Sequence, residues 1–151
     1  MYTHPVAGSG RIHSPPTRSR HANPAMLRPR PLRVLVVDDD RDTAESTAEV
    51  LGLLGYDARA AHDGPGALQA VDSFPPDVVL MDIGLPREDG YGLARRLCAA
   101  LKRRPILVAV TGHQHIEGRS RREGFDHHLV KPVDPEELVY LLMTYTTQRG
   151  D

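Results

Sequence analysis

Val34-Leu35-Val36-Val37-Asp38-Asp39-Asp40 is the stretch of this sequence that says most about its fold. Four branched apolar residues in succession predict a strand that is covered on both faces, as in the parallel sheets of α/β proteins. The run stops abruptly at three carboxylates. Because ligands of such sheets bind beyond the carboxyl ends of the strands, the stretch predicts an α/β fold with a site at Asp38–Asp40.

The same arrangement, an apolar run closed by a polar side chain, returns three times further along the chain. Asp82, Thr111 and Lys131 each stand directly behind such a run. If the four strands are parallel, their carboxyl ends meet at one edge of the sheet. We therefore expect these three side chains to converge on one crevice with Asp38 and Asp39.

Helical patterns lie between the strand-like runs. First-turn acids, apolar residues at helical spacing and closing Gly or Pro residues mark most of them. Strand–helix–strand units force parallel pairing with right-handed crossovers, so the predicted fold is a doubly wound α/β domain with a five-stranded parallel sheet and five helices. The predicted strands are 34–37, 56–60, 78–82, 105–110 and 127–130. The predicted helices are 42–54, 64–74, a third helix after Gly90, 116–123 and 135–146. The apolar positions of the first helix are Ala48, Leu51 and Leu54, and those of the third are Leu93, Leu97, Ala100 and Leu101.

The first 33 residues differ from the rest of the chain in charge. They hold six of the 19 basic residues, all arginine, and none of the 20 acidic residues. Such a segment buries too little apolar surface to offset the entropy of ordering. We therefore predict a disordered basic tail at 1–31, a domain at 32–147 and a short C-terminal tail at 148–151. The arginine-rich arm could bind nucleic acid or anionic lipid, but a solvated tail is favoured, and Met26 is an alternative translation start.

The composition excludes several classes of protein. The single cysteine, Cys98, cannot form a disulfide within one chain, and its helical surroundings predict a small buried thiol. No apolar stretch approaches the roughly 18 residues of a membrane helix, and the N-terminus lacks the apolar core of a secretory signal. With 40% hydrophobic residues over 151 positions, the sequence predicts one globular domain in the cytoplasm, without membrane association.

Asp38, Asp39 and Asp82 would form a carboxylate cluster whose mutual repulsion needs a cation or protons. Oxygen ligands of this kind suit Mg²⁺, which takes few protein carboxylates and keeps water or phosphate oxygens as its other ligands. A metal held in this way commonly neutralises a phosphoryl group as it moves to an oxygen nucleophile. Asp82 is then the natural phosphoacceptor, since carboxylates form acyl phosphates, while Thr111 and Lys131 could contact phosphoryl oxygens.

Four segments, taken in order and spacing, resemble the receiver domains of bacterial response regulators. They are Val34–Asp39, 78–90 with Met81-Asp82-Ile83-Gly84-Leu85-Pro86 and Asp89-Gly90, Val110-Thr111-Gly112, and Val130-Lys131-Pro132. Each segment alone is a weak signal, but together they match about residues 32–147. The resemblance implies the flavodoxin-like fold of CheY-like receivers and a role as a phosphoprotein in two-component signalling.

By that resemblance, Asp82 is the phosphoacceptor and binds Mg²⁺ together with Asp39, while Asp38 acts through water. The backbone carbonyl of Gly84 would be a further metal ligand, which needs no side chain. Lys131 matches the family's phosphate-binding lysine. The bond between this lysine and the next residue is often cis in the family, and Lys131–Pro132 makes a cis bond cheaper than any other sequence would.

Thr111 and His128 occupy the positions of the family's switch residues. Many receivers carry Tyr or Phe where this sequence has His128, and that aromatic ring turns inward when the threonine moves toward the phosphoryl group. An imidazole can also rotate, but it titrates near neutrality, so a rotamer switch and an exposed strand-end histidine both stay open. Gly84 and His113 stand where the family tunes the lifetime of the phosphoryl group.

The resemblance implies a single-domain response regulator that accepts a phosphoryl group from a histidine kinase or phosphotransfer protein. It would not be an enzyme beyond transfer to, and hydrolysis from, its own aspartate. Nothing after Thr147 could form an output domain, so we expect no direct DNA binding. The fourth helix, fifth strand and fifth helix would bind a downstream protein or form a homodimer. Two alternatives stay open: a metal-dependent small-molecule phosphohydrolase, which would need a cap, and a pseudo-receiver that binds partners without phosphorylation.

Overall fold

The computed structural model of the chain describes residues 30–112 and 117–148. Almost all of the predicted N-terminal tail lies outside these residues, as does the end of the predicted C-terminal tail. His113 and the first residue of the predicted fourth helix, Ile116, also fall outside them.

Five parallel strands form one sheet in the order β2-β1-β3-β4-β5, and a helix follows each strand, which confirms the predicted doubly wound α/β fold. The strand at the β2 edge is the most exposed of the five. No helix within residues 30–112 and 117–148 is both long enough and apolar enough to cross a membrane. The strands are β1 Arg33–Val37, β2 Asp57–Ala61, β3 Val78–Asp82, β4 Ile106–Thr111 and β5 His127–Val130; the helices are α1 Arg41–Leu53, α2 Gly64–Ser73, α3 Gly90–Ala100, α4 Glu117–Arg122 and α5 Pro135–Gln148.

An aspartate stands at the start of four of these helices and accepts a backbone hydrogen bond there. Asp40 accepts from Thr43 N at 3.3 Å, and Asp63 accepts from Gly66 N at 2.7 Å. Such a cap satisfies one of the N–H groups that the first turn of a helix leaves unpaired. The same contact is made by Asp89 at the start of α3 and by Asp134 at the start of α5.

The sheet separates two apolar clusters, because successive residues of a strand point to opposite faces. In β1, Leu35 and Val37 pack on the cluster that contains α2 and α3, while Val34 and Val36 pack on the cluster that contains α1 and α5. This two-sided burial explains why the strand is apolar throughout, without a polar alternation.

Two positions predicted to be apolar contacts of helices lie elsewhere. Leu54 caps the C-terminus of α1 and is 53% exposed, because the helix ends one residue earlier and the chain turns at Gly55, where φ is +95°. Ala100 is exposed at the end of α3, and Ala94 is the alanine that packs in the core. The helical spacing of apolar residues does not predict burial at these two positions, because both lie at the C-terminal end of a helix.

Candidate functional site

Three carboxylates meet where the neighbouring strands β1 and β3 end. Asp38 follows β1 and Asp82 ends β3, and both are buried, while Asp39 is exposed. One oxygen from each of the three residues lies within 4.8 Å of the other two. The structure therefore brings together the three acids that the strand pattern predicts.

Lys131 lies directly behind β5 and places its ammonium group between two of these acids. Its Nζ donates to Asp82 Oδ2 at 2.8 Å and to Asp38 Oδ2 at 3.1 Å. The lysine is half-buried and its partners are almost fully buried, so these are strong, charge-assisted contacts. Lys131 is thus the counter-ion of the acidic cluster.

Thr111 ends β4 and is buried beside the same crevice. Its carbonyl accepts a hydrogen bond from the Lys131 N–H at 2.8 Å, which fixes the end of β5 against the end of β4. The peptide bond between Lys131 and Pro132 is cis, as the resemblance implies. The four predicted strand ends therefore converge on one site.

Gly84 lies two residues beyond the phosphoacceptor candidate and is held to it through the backbone. Its N–H donates to Asp82 Oδ1 at 2.8 Å, so both oxygens of Asp82 are engaged, Oδ2 by Lys131. A Cβ built on Gly84 would contact Asp82 Oδ1 at 3.4 Å. Gly84 thus stands next to Asp82, while the role of its carbonyl as a metal ligand stays a prediction.

His128 lies in β5, and its ring is half-buried. Its Nε2 atom is buried and has no hydrogen-bond partner within the described residues. This inward position differs from that of an exposed strand-end histidine, one of the two interpretations left open by the sequence. Whether the ring moves with Thr111 stays a prediction.

Burial and neighbouring charge shift the pKa values of two groups in the site. Burial raises the pKa of Asp38, helped by the charge of Asp82 and opposed by the hydrogen bonds from Asp40 N–H and Lys131. Burial acts to lower the pKa of Lys131, but its contacts with Asp82 and Asp38 together outweigh this effect and raise the pKa. Keeping Asp38 ionised in this buried position is therefore costly, and Lys131 offsets part of that cost.

Replacing Asp38 by asparagine should stabilise the metal-free protein at neutral pH. A raised pKa means that the folded state favours protonated Asp38, so this stabilisation is complete below the ordinary value of 3.8 and is lost as pH rises through the raised value. Asparagine does not ionise and can still accept from the Asp40 N–H. We expect a gain of about 0.5–2 kcal/mol in unfolding free energy at pH 7.

Urea unfolding at pH 7 and at stepwise lower pH measures this effect. The gain of Asp38→Asn should shrink as pH falls toward 3.8, since the wild-type carboxyl is then protonated as well. Asp40→Asn is the matched control, because hydrogen bonds from Thr43 lower the pKa of Asp40 and its charge is not costly. A loss of stability for Asp38→Asn at neutral pH would contradict the prediction.

A groove of about 650 Å³ opens at the acidic cluster and runs between α1 and α5. Asp38, Asp82 and Lys131 line one end of it. Along its length lie apolar side chains, among them Val50 and Leu54, which are 46% and 53% exposed. The site is therefore open to a macromolecule beside it as well as to small ions.

Glu88 is a residue of the segment between β3 and α3 whose contacts sequence reasoning missed. The Glu88 carboxylate accepts from Gly64 N at 2.7 Å and from Arg96 Nη2 at 2.9 Å. No local pattern indicates these contacts, because Gly64 lies 24 positions earlier in the chain.

The residues present fit a hard divalent cation. All three side-chain donors are carboxylates, and among the described residues no sulfur or imidazole joins the group, which is the donor set that Mg²⁺ prefers. Burial raises the pKa of Asp38, so a bound cation would relieve a charge that the fold holds at a cost. The cluster can therefore hold a metal, and Lys131 stands beside it for an anionic group.

Known proteins match the part of this chain that contains the sheet and the acidic cluster. The family model for the response regulator receiver domain matches residues 34–143. Response regulator MprA from Mycobacterium avium is 39% identical over 110 residues, which are 72% of this chain and 48% of that protein, and its counterpart from Mycolicibacterium vanbaalenii is 40% identical over 111 residues. This chain thus spans about half the length of these relatives.

Solved structures agree with the family match. The CheY-like receiver domain from Methylobacillus flagellatus is 33% identical with a TM-score of 0.68, over 76% of this chain and 98% of that chain. A response regulator from Burkholderia pseudomallei, solved with a phosphorylated aspartic acid, a calcium ion and citrate, is 25% identical with a TM-score of 0.64, over 72% of this chain and 64% of that chain. The fold and the family match together identify a receiver domain. The chain belongs to the response regulator receiver family of two-component signalling.

Proposed function

We propose that this chain accepts a phosphoryl group on Asp82 with the help of Mg²⁺ and signals through protein contacts. The observation that carries the proposal is the placement of Lys131 Nζ, which contacts both Asp82 and Asp38 while Asp39 lies beside them. A lysine and three carboxylates at adjacent strand ends combine a metal site with a positive group for phosphoryl oxygens. Such a set serves phosphoryl transfer.

Asp38, Asp39 and Asp82 would hold the Mg²⁺ ion, with the Gly84 carbonyl as a backbone ligand. When bound, the ion supplies positive charge that lowers the repulsion between the acceptor carboxylate and the incoming phosphoryl oxygens. The Burkholderia pseudomallei structure holds a phosphorylated aspartic acid together with a divalent ion, which supports the same combination for this chain.

In the transfer, a lone pair of one Asp82 oxygen attacks the phosphorus of a phosphohistidine on the donor. The new O–P bond forms as the N–P bond breaks, and the electron pair of that bond returns to the imidazole nitrogen. Lys131 contacts the phosphoryl oxygens, and the Thr111 hydroxyl offers a hydrogen-bond donor from β4. Loss of the group by attack of water on phosphorus returns the free carboxylate, so the chain is a phosphoprotein and no enzyme for other substrates.

The donor is a histidine kinase or a phosphotransfer protein. The apolar groove between α1 and α5 supports a protein donor, since it begins at Asp82 and carries the exposed side chains Val50 and Leu54 further along its length. A small-molecule phosphohydrolase has less support, because its substrate would not use such a surface. A pseudo-receiver would have no need for a complete set of acids and lysine.

Signalling follows from a shift between two arrangements of the receiver. The acyl phosphate favours the arrangement in which Thr111 and Lys131 contact it, and His128 follows as the inward-facing switch residue. The face formed by α4, β5 and α5 carries the signal to a downstream protein or to a second copy of the chain. Direct DNA binding plays no part in this function of residues 32–147.

The test is intact mass after incubation with acetyl phosphate and Mg²⁺. We expect the mass to rise by one phosphoryl group, and we expect no rise when a chelator removes the metal. Transfer here breaks the bond between phosphorus and the acetate oxygen, and acetate leaves. No gain of mass, even after rapid acid quenching to preserve a short-lived acyl phosphate, would favour the pseudo-receiver and overturn the proposal.

A further inference from the structure

The loop between β3 and α3 joins the phosphoacceptor to the rest of the domain in a conformation that needs support. It begins with the Ile83 N–H donating to the Val110 carbonyl at 3.0 Å and with the Gly84 N–H donating to Asp82. Further along, Arg87 adopts a φ of +71°, and within the described residues it is the one non-glycine residue with positive φ. Side chains disfavour this region, so surrounding contacts must hold the loop there.

Glu88, the next residue, makes those contacts. One carboxylate oxygen accepts from the Gly64 N–H at 2.7 Å, at the first residue of α2. The other accepts from Arg96 Nη2 of α3 at 2.9 Å. One half-buried side chain therefore ties the loop to two helices at once.

The approach of Glu88 to α2 depends on the glycine there. A Cβ built on Gly64 would lie 1.8 Å from Glu88 Oε1, so a side chain at Gly64 would displace the carboxylate. Asp63 caps the same helix through the Gly66 N–H, which leaves the Gly64 N–H to Glu88. A carboxylate at this position is also favoured by the positive end of the helix dipole.

We propose that Glu88 is a positioning residue for the metal site. The inference rests on the proposed function, because it concerns the loop whose Gly84 carbonyl is expected to bind Mg²⁺. The Glu88 contacts restrict the loop to the conformation in which Gly84 stays beside Asp82. Without them the three carboxylates keep their places at the ends of β1 and β3, but the backbone ligand is no longer fixed beside them.

The test is a Mg²⁺ titration of the unphosphorylated protein, followed by the amide NMR shifts of residues 82–90. For Glu88→Ala we expect the Kd for Mg²⁺ to rise by about tenfold. This is the lower end of the loss in metal affinity that follows when a residue that orients a metal ligand is removed. Glu123→Ala is the matched control, since Glu123 pairs with the adjacent arginine of α3, Arg95, at 2.6 Å on the side of α4. Its Mg²⁺ affinity should equal that of the wild type.

Glu88→Gln separates positioning from general stability. Glutamine keeps a carbonyl that accepts from the Gly64 N–H, so its Mg²⁺ affinity should stay close to that of the wild type. Equal weakening in Glu88→Gln and Glu88→Ala would overturn the role of this hydrogen bond. A lower melting temperature of Glu88→Ala with an unchanged Kd would overturn the proposal, because a purely structural contact gives that result.

Failure of the role of Glu88 and failure of the proposed function give different experimental results. A wild type that binds Mg²⁺ but takes up no phosphoryl group would overturn phosphoryl acceptance, while weakened Mg²⁺ binding in Glu88→Ala would still support the role of Glu88. Normal uptake by the wild type with unchanged Mg²⁺ affinity in Glu88→Ala would overturn the role of Glu88 alone. A wild type that binds no Mg²⁺ would overturn both.

Discussion

Replacing Asp82 by asparagine should abolish phosphoryl uptake from acetyl phosphate and Mg²⁺. Uptake requires a carboxylate oxygen that forms a new bond to phosphorus, and the amide of asparagine forms no acyl phosphate. Asparagine keeps the acceptor for the Gly84 N–H at Oδ1, but its amide nitrogen no longer accepts from Lys131 Nζ, so folding of the variant is checked by its melting temperature. We expect no mass gain in the variant and a gain of one phosphoryl group in the wild type.

Asp40→Asn is the control for this experiment. Asp40 stands two residues behind Asp38 in the same acidic run, yet it is exposed and caps α1 through Thr43. Asparagine is also a good cap, so the fold should be unaffected and uptake should match that of the wild type. Full uptake by Asp82→Asn, or loss of uptake by Asp40→Asn alone, would show that another residue is the acceptor.

The strand pattern predicted the fold and the convergence of the site residues because both depend on local sequence. An apolar run followed by a polar side chain predicts a buried strand and a group at its carboxyl end. Parallel pairing then brings Asp38, Asp82, Thr111 and Lys131 together, whatever the loops between them do. The Asp40 cap was predictable for the same reason, since its partner is three residues away.

Contacts between distant segments could not be predicted in this way. Glu88 lies in a turn, and nothing in the turn indicates that its carboxylate meets the first N–H of α2. Tyr91 lies in α3, and the buried contact of its hydroxyl with Ser120 joins α3 to α4 across 29 positions. The inward direction of the His128 ring likewise depends on packing around β5 and not on the residues beside it.

Lys131→Met should destabilise the metal-free protein at neutral pH. The lysine is the cation that neutralises Asp38 and Asp82, and methionine leaves two buried carboxylates without it. Losing one partner of a fully buried ion pair costs about 3–5 kcal/mol. Because the Lys131 side chain is 34% exposed, solvent screens part of this interaction, and we expect a loss of about 1–3 kcal/mol.

The pH dependence of this loss follows from two pKa shifts. The pKa of Lys131 is raised, so its stabilisation is complete below the ordinary value of 10.5 and is lost as pH rises through the higher folded-state value. The pKa of Asp38 is also raised, so that carboxyl takes up its proton early as pH falls and then needs no counter-ion. The difference between wild type and variant should therefore be largest near neutrality and should narrow on both sides.

Mg²⁺ should reverse most of the loss, because it supplies charge to the same carboxylates. Lys131 and the ion compete for Asp38 and Asp82, so Mg²⁺ should raise the melting temperature of Lys131→Met more than that of the wild type. Lys102→Met, which removes the other lysine from an exposed position, should show neither effect. A Lys131→Met variant as stable as the wild type in chelator, or one that gains no more than the wild type from Mg²⁺, would mean that Lys131 is not the counter-ion of the acidic cluster.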